Sequence, residues 1–187
     1  MPKLTDAEQS EFLSEQGMIM NIATIDTDGS PLVTPIWFIH EEGRIWFTPR
    51  QHSEWLRHIR GDSRVALSID EPDLPYRKVV VRGRANLDHE VGNDDEWRDV
   101  YLRIAQRYVP AEDARSYVSG TDDQPRALCS VTLEGAEVRT WRMPIDDEAY
   151  DGIWAKRYWT DNAKIKTQAP TLFENQNRFG EIGKDTK

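Results

Sequence analysis

From Met18 to Pro49 the chain reads MIMNIATI, DTDGS, PLVTPIWFIH, EEG and RIWFTP: three runs rich in β-branched and aromatic residues, joined by two tight-turn signals. Loops this short return a strand only to an antiparallel neighbour, since a parallel partner needs a crossover of about a dozen residues. The stretch is therefore a meander of three strands. Pro31 and Pro35 each lack an amide N–H, which puts the second run at a sheet edge or a bulge.

The rest of the chain extends this pattern. Thr5 and Glu8 form a capping-box pair ahead of Phe12 and Leu13, predicting a first helix over about residues 5 to 16 that ends near Gly17. Ser53 stands as an N-cap before Trp55, Leu56 and Ile59, which share one face of a short helix stopped by Gly61. SRVALSID and YRKVVVRGRANL resume strand character. In the second, Val79, Val81 and Gly83 alternate against Val80, Arg82 and Arg84, sending both arginines to one face. EWRDVYLRIAQRYV has apolar residues at helical spacing, namely Trp97, Tyr101, Ile104, Ala105 and Tyr108, and AEDARSYVSG reads as another short helix. RALCSVTLEGAEVRTWRM is a closing pair of strands or one strand bent near Gly135. The fold class is mainly β with α, an antiparallel barrel flanked by helices, over residues 1 to 145. Residues 146 to 187 read as a polar C-terminal arm whose apolar part is IWAKRYW.

Composition narrows the function. A net charge of −9 disfavours a surface that follows a phosphate backbone, so nucleic acid is not an expected partner. No apolar run approaches the roughly 20 residues that span a bilayer, and MPKLTDAEQS lacks a signal-peptide core, so no membrane partner is expected. Cys129, the single cysteine, cannot form an internal disulfide and lies in the apolar run ALCSVTL, as a packed thiol would. The expectation is a cytoplasmic protein. His40, His52, His58 and His89 have no GxSxG neighbourhood. His52 and His58 fall on different helix faces, and no Cys/His cluster has ligand spacing, so no metal site is expected.

Seven tryptophans are many for 187 residues, and Trp37, Trp46, Trp55 and Trp141 lie on or beside predicted strands or the short helix, as core packing or a ligand platform would place them. The helix opened by Ser53 offers free amides and a positive dipole end, with Arg50 before it and Arg57 inside it. That combination is an anion site or a capped surface helix.

Taken jointly, the DG hairpin, the P-x-W-F strand, the aromatic strand ending in Thr48, the serine-opened helix HSEWLRHIRGDSRVALSID and the strand VRGRA resemble the flavin-binding split-barrel family of pyridoxamine 5'-phosphate oxidase, over roughly residues 10 to 140. The resemblance implies a split barrel that holds FMN, or alternatively a deazaflavin, between two subunits of a homodimer. It implies a cofactor phosphate at Thr48 and Ser53, and a ring bordered by Pro35, Ile36, Trp37, Trp46 and Phe47. Many relatives carry a lysine inside the helix where this chain has Glu54 and Trp55, so either Arg50 and Arg57 supply the positive charge or phosphate binding is weakened. The implied activity is hydride transfer to or from a small molecule. The alternative on the same fold is a non-catalytic binder of a flavin, haem or other planar ligand. No catalytic residue is singled out, because the flavin itself carries the hydride chemistry.

Overall fold

Thr5 and Glu8 close the expected capping box: the Glu8 amide donates to Thr5 Oγ1 at 3.2 Å and the Thr5 amide donates to Glu8 Oε2 at 2.7 Å. This sets the start of α1 (Asp6–Ser14), which buries Phe12 and Leu13. The computed structural model describes residues 2–143, apart from 74 and 93. The arm expected beyond residue 145, with Trp154 and Trp159, lies outside the described residues.

The meander follows as β1 (Met20–Ile25), β2 (Pro31–Ile36), β3 (Ile39–Glu41) and β4 (Arg44–Phe47). DTDGS makes a five-residue connection with a turn closed by the Gly29 amide on the Asp26 carbonyl, Gly29 standing at φ +86. EEG makes a two-residue hairpin in which Glu42 and Gly43 both have positive φ, as the tight strand-matched turn requires. Then come α2 (Glu54–Gly61), β5 (Arg64–Asp70), β6 (Lys78–Arg84), β7 (Asn86–His89), α3 (Arg98–Gln106), α4 (Ala111–Ser119), β8 (Leu128–Thr132) and β9 (Glu137–Trp141).

All pairings between these strands are antiparallel, in two sheets of order β2-β1-β5-β6-β9 and β3-β4-β8-β7. Two runs that read as single strands in the sequence break where the chain changes sheet. PLVTPIWFIH divides at Trp37 and Phe38, and YRKVVVRGRANL divides at Ala85. RALCSVTLEGAEVRTWRM resolves into the strand pair, turning at Gly135 with φ +79. Strands that switch sheets at such corners make a split barrel, the expected architecture.

Its core is built from the inward rows of both sheets. Met20, Ile22, Phe38, Ile45, Phe47, Leu67, Ile69, Val79, Val81, Cys129 and Val131 are all fully buried with Phe12 and Leu13. Burial pushes the Cys129 thiol up to about 12, so it behaves as a packed apolar group. Arg82 and Arg84 both face outward, as their alternation requires. A second cluster joins α3 and α4 through Trp97, Tyr101, Ala105, Ala114 and Val118.

Arg107, just after α3, ties the pieces together. Its buried guanidinium donates to the carbonyls of Phe38 (2.8 Å), Leu13 (2.8 Å) and Glu15, and lies 4.4 Å from the centre of the Phe38 ring. The C-terminal end of α1 and the corner between β2 and β3 therefore share one cation.

Candidate functional site

The corner at Trp37 opens beside the free edge of β2, the end strand of its sheet. There the split barrel and the α3–α4 pair enclose a cavity of about 370 Å³. Pro35, Ile36 and Trp37 form one apolar wall, and Trp55 of α2 and Ile104 of α3 complete it. Trp37 is held flat: its ring stacks on Tyr108 at 4.7 Å between centroids and 3° between planes, and Tyr117 leans against it at 5.4 Å. Tyr108 is fixed in turn by its hydroxyl, which donates to the Met18 carbonyl at 2.7 Å and accepts from the Phe38 amide at 3.0 Å.

The other end of the cavity is cationic. Thr48, Arg50 and Ser53 line it from the β4–α2 connection, and Arg126 lines it from the approach to β8. Arg50 and Arg126 face each other across an isolated antiparallel bridge, fixed by the Gln51 amide on the Pro125 carbonyl (2.8 Å) and the Ala127 amide on the Pro49 carbonyl (3.0 Å). Arg126 is 7% exposed, donates to the Thr48 carbonyl at 2.9 Å, and covers the Tyr101 ring at 4.3 Å. Its Nε has no hydrogen-bond partner among the described residues. Burial pulls the Arg126 pKa down. Two guanidiniums side by side, one of them desolvated, lower their energy when an anion sits between them.

Ser53 occupies the N-cap position of α2, but its hydroxyl donates to the Arg50 carbonyl at 2.7 Å and makes no capping bond. The first amides of α2 thus keep their donor capacity beside the arginine pair. Two phenols stand over this end. Burial pushes Tyr101 up to about 12. Burial also works to raise Tyr117, but the Tyr101 hydroxyl and the charges of Arg126 and Arg50 outweigh it and hold the Tyr117 phenol below its ordinary value. Among the described residues lining the cavity there is no carboxylate, imidazole or thiol. The arrangement suits a ligand with a flat apolar part and an anionic end, and its only side-chain acids are phenols.

Of the residues expected at a site, Pro35, Ile36, Trp37, Thr48, Arg50 and Ser53 line this one cavity. Three others lie elsewhere. Phe47 is fully buried behind Trp55, with 5.9 Å between ring centroids. Trp46 packs toward the α3–α4 cluster, under the Arg44 guanidinium at 5.4 Å. Arg57, expected on the anion, instead binds Asp26 through two hydrogen bonds of 2.7 and 2.8 Å. Sequence reasoning missed Arg126, Tyr117, Thr34 and the cavity roles of Trp55, Tyr101 and Ile104. The apolar spacing of Tyr101 and Ile104 signals a core helix, and nothing local marks Arg126.

The sequence profile of the pyridoxamine 5'-phosphate oxidase family matches residues 5–141, which spans both sheets and the cavity. The chain belongs to this family. No curated protein sequence matches it. Solved structures with the same fold include a conserved hypothetical protein from Mycobacterium tuberculosis, with a TM-score of 0.61, 21% identity, and coverage of 79% of this chain and 94% of that one. The FAD- and haem-binding protein from Mycobacterium smegmatis aligns with a TM-score of 0.56 at 17% identity, over 88% of this family member and 78% of its own chain. The haem storage protein HutZ from Vibrio cholerae aligns with a TM-score of 0.54 at 17% identity, over 72% and 94%. At these identities the likeness is one of fold.

Proposed function

We propose that the cavity binds a flavin-type cofactor, FMN first and a deazaflavin as the alternative, and that the protein works as a homodimeric oxidoreductase on a small molecule. The observation that carries this reading is the Arg50–Arg126 pair, with its orphaned buried Nε, at one end of a slot whose other end is the clamped Trp37 indole. FMN has a matching shape, a planar apolar ring joined through a polar chain to a terminal phosphate. Arg126, Arg50, Ser53, Thr48 and the first amides of α2 would hold the phosphate, and Pro35, Ile36 and Trp37 would border the ring. When bound, the cofactor supplies hydride chemistry. The residues of the chain bind it, orient it and exclude water. Family membership and the FAD-binding relative of the same fold support the class of ligand.

Dimerisation is part of the proposal. The outer face of the β2-β1-β5-β6-β9 sheet leaves Val33 61% and Ile19 41% exposed, next to the free edge of β2 that borders the cavity. A second copy would cover both the apolar strip and the open side of the slot. The test is titration of FMN into the purified protein, followed through the flavin band near about 450 nm, then turnover with a nicotinamide donor. Saturable binding with turnover supports the enzyme. Binding without turnover leaves a carrier on the same fold, the second reading, supported by the haem storage protein of the same fold.

A further inference from the structure

Outside the cavity lining, α2 and the β1–β2 turn bring three potential metal ligands together. Glu54 and His58 are four residues apart on the helix, and Asp26 reaches them from the β1–β2 turn. His58 Nε2 lies 3.3 Å from Asp26 Oδ2 and 3.9 Å from Glu54 Oε1, and all three ligand atoms fall within 4.8 Å of one another. Donors bound to one ion at about 2.0 to 2.2 Å lie at most about 4.4 Å apart, a limit that both His58–carboxylate separations meet.

Two further observations distinguish this group from a solvated acidic patch. His58 is 3% exposed, and its Nδ1 lies 3.0 Å from the hydroxyl of fully buried Thr24. Its Nε2 lies 3.0 Å from Arg57 Nη2 and 3.3 Å from Asp26 Oδ2, so this ring nitrogen is the one that faces the carboxylates. The imidazole is thus aimed at the two carboxylates and oriented from behind by a hydroxyl. A cation already lies in the cluster: Arg57 Nη2 is 2.8 Å from Asp26 Oδ2 and 3.6 Å from Glu54 Oε1. Arg57 reaches the cluster from solvent on a side chain that is 54% exposed.

We propose that Asp26, Glu54 and His58 form a second ligand site, for one divalent transition ion of the zinc class, with Arg57 as its built-in competitor. One imidazole and two carboxylates select such an ion over magnesium or calcium, which prefer oxygen-only shells. Binding swings Arg57 into solvent, neutralises both carboxylates and ties the β1–β2 turn to α2. None of the three ligands lines the cavity, so the site stands apart from the cofactor reading.

Calorimetric titration of ZnCl₂ into the full-length protein tests this, with circular dichroism to confirm that each variant is folded. One saturable site is expected in the parent. Arg57→Ala removes the guanidinium from Asp26, Glu54 and His58, and should bind zinc up to about fivefold tighter. Glu54→Gln, at a side chain 61% exposed that cannot unfold the chain, should bind about tenfold more weakly, and His58→Gln should lose the site. Absence of saturable binding in Arg57→Ala overturns the proposal, as does zinc binding that Glu54→Gln and His58→Gln leave unchanged.

Discussion

Arg126 and Trp55 show how one side chain's surroundings decide its role. Arg126 is desolvated, bonded to the Thr48 carbonyl and left with an unpaired Nε, so its cost is recovered when an anion binds. Arg126→Ala should therefore weaken FMN by about ten- to a hundredfold, the worth of a charge-assisted hydrogen bond of roughly 1.5 to 3 kcal/mol. Arg57→Ala should leave FMN affinity within about twofold, because Arg57 is spent on Asp26. Parallel titrations check both, and the reverse ranking would return the anion to the expected helix arginine. Trp55, one of the two positions where the resemblance implies a lysine, is 9% exposed and packs on Phe47. Trp55→Lys would bury an ammonium and empty part of the core. A loss of about 3 kcal/mol or more in urea unfolding is expected, with no tightening of FMN.

At the scale of elements, the interaction to test is Arg107 across the corner of β2 and β3. Removing its guanidinium strands the carbonyls of Leu13 and Glu15 and weakens the support of Phe38 and, through Tyr108, of Trp37. Arg107→Ala should cost about 3 kcal/mol, and Arg107→Lys should recover only part, since an ammonium cannot reach all three carbonyls in the planar fork geometry. Thermal and urea unfolding of both variants checks this. The same corner marks how far the sequence could be read. The meander was legible because turn chemistry is local: Gly29 and the Glu42–Gly43 pair announce their loops to their immediate neighbours. The breaks at Trp37–Phe38 and Ala85 were not, because a strand changes sheet according to the neighbour it meets, and that neighbour is distant in the chain. Likewise Ser53 and Arg50 were legible as a helix start with an arginine beside it, whereas Arg126 reaches them only through a bridge closed late in the sequence. Arg57 shares a helix face with Ser53, and only the folded position of Asp26 reveals that the carboxylate captures it.

The whole molecule carries its least compatible charges as buried neutral acids, and this sets its response to alkali. Cys129 is fully buried and Tyr101 is 4% exposed, and burial is the leading cause that lifts each to about 12, from ordinary values of 9.0 and 10.0. Below about pH 8 both groups are protonated in the folded and unfolded chains alike, so neither makes stability depend on pH. Above it the unfolded chain gives up the Cys129 proton first, then the Tyr101 proton, while the fold retains both. The unfolded state then binds fewer protons, and stability falls with pH until the folded groups also titrate near 12. The loss runs at about 1.4 kcal/mol per pH unit where Cys129 acts alone, and Tyr117, held below its ordinary value beside Tyr101, offsets part of what Tyr101 adds. Urea midpoints measured from pH 8 to pH 11 should thus be level at first and then decline. Cys129→Ala, with a lower plateau from the lost sulfur, should show a shallower decline between pH 9 and pH 10, where the thiol acts alone. An equal decline in the variant would mean that the Cys129 thiol ionises as readily in the fold as in the unfolded chain, and that the sheet around it admits water.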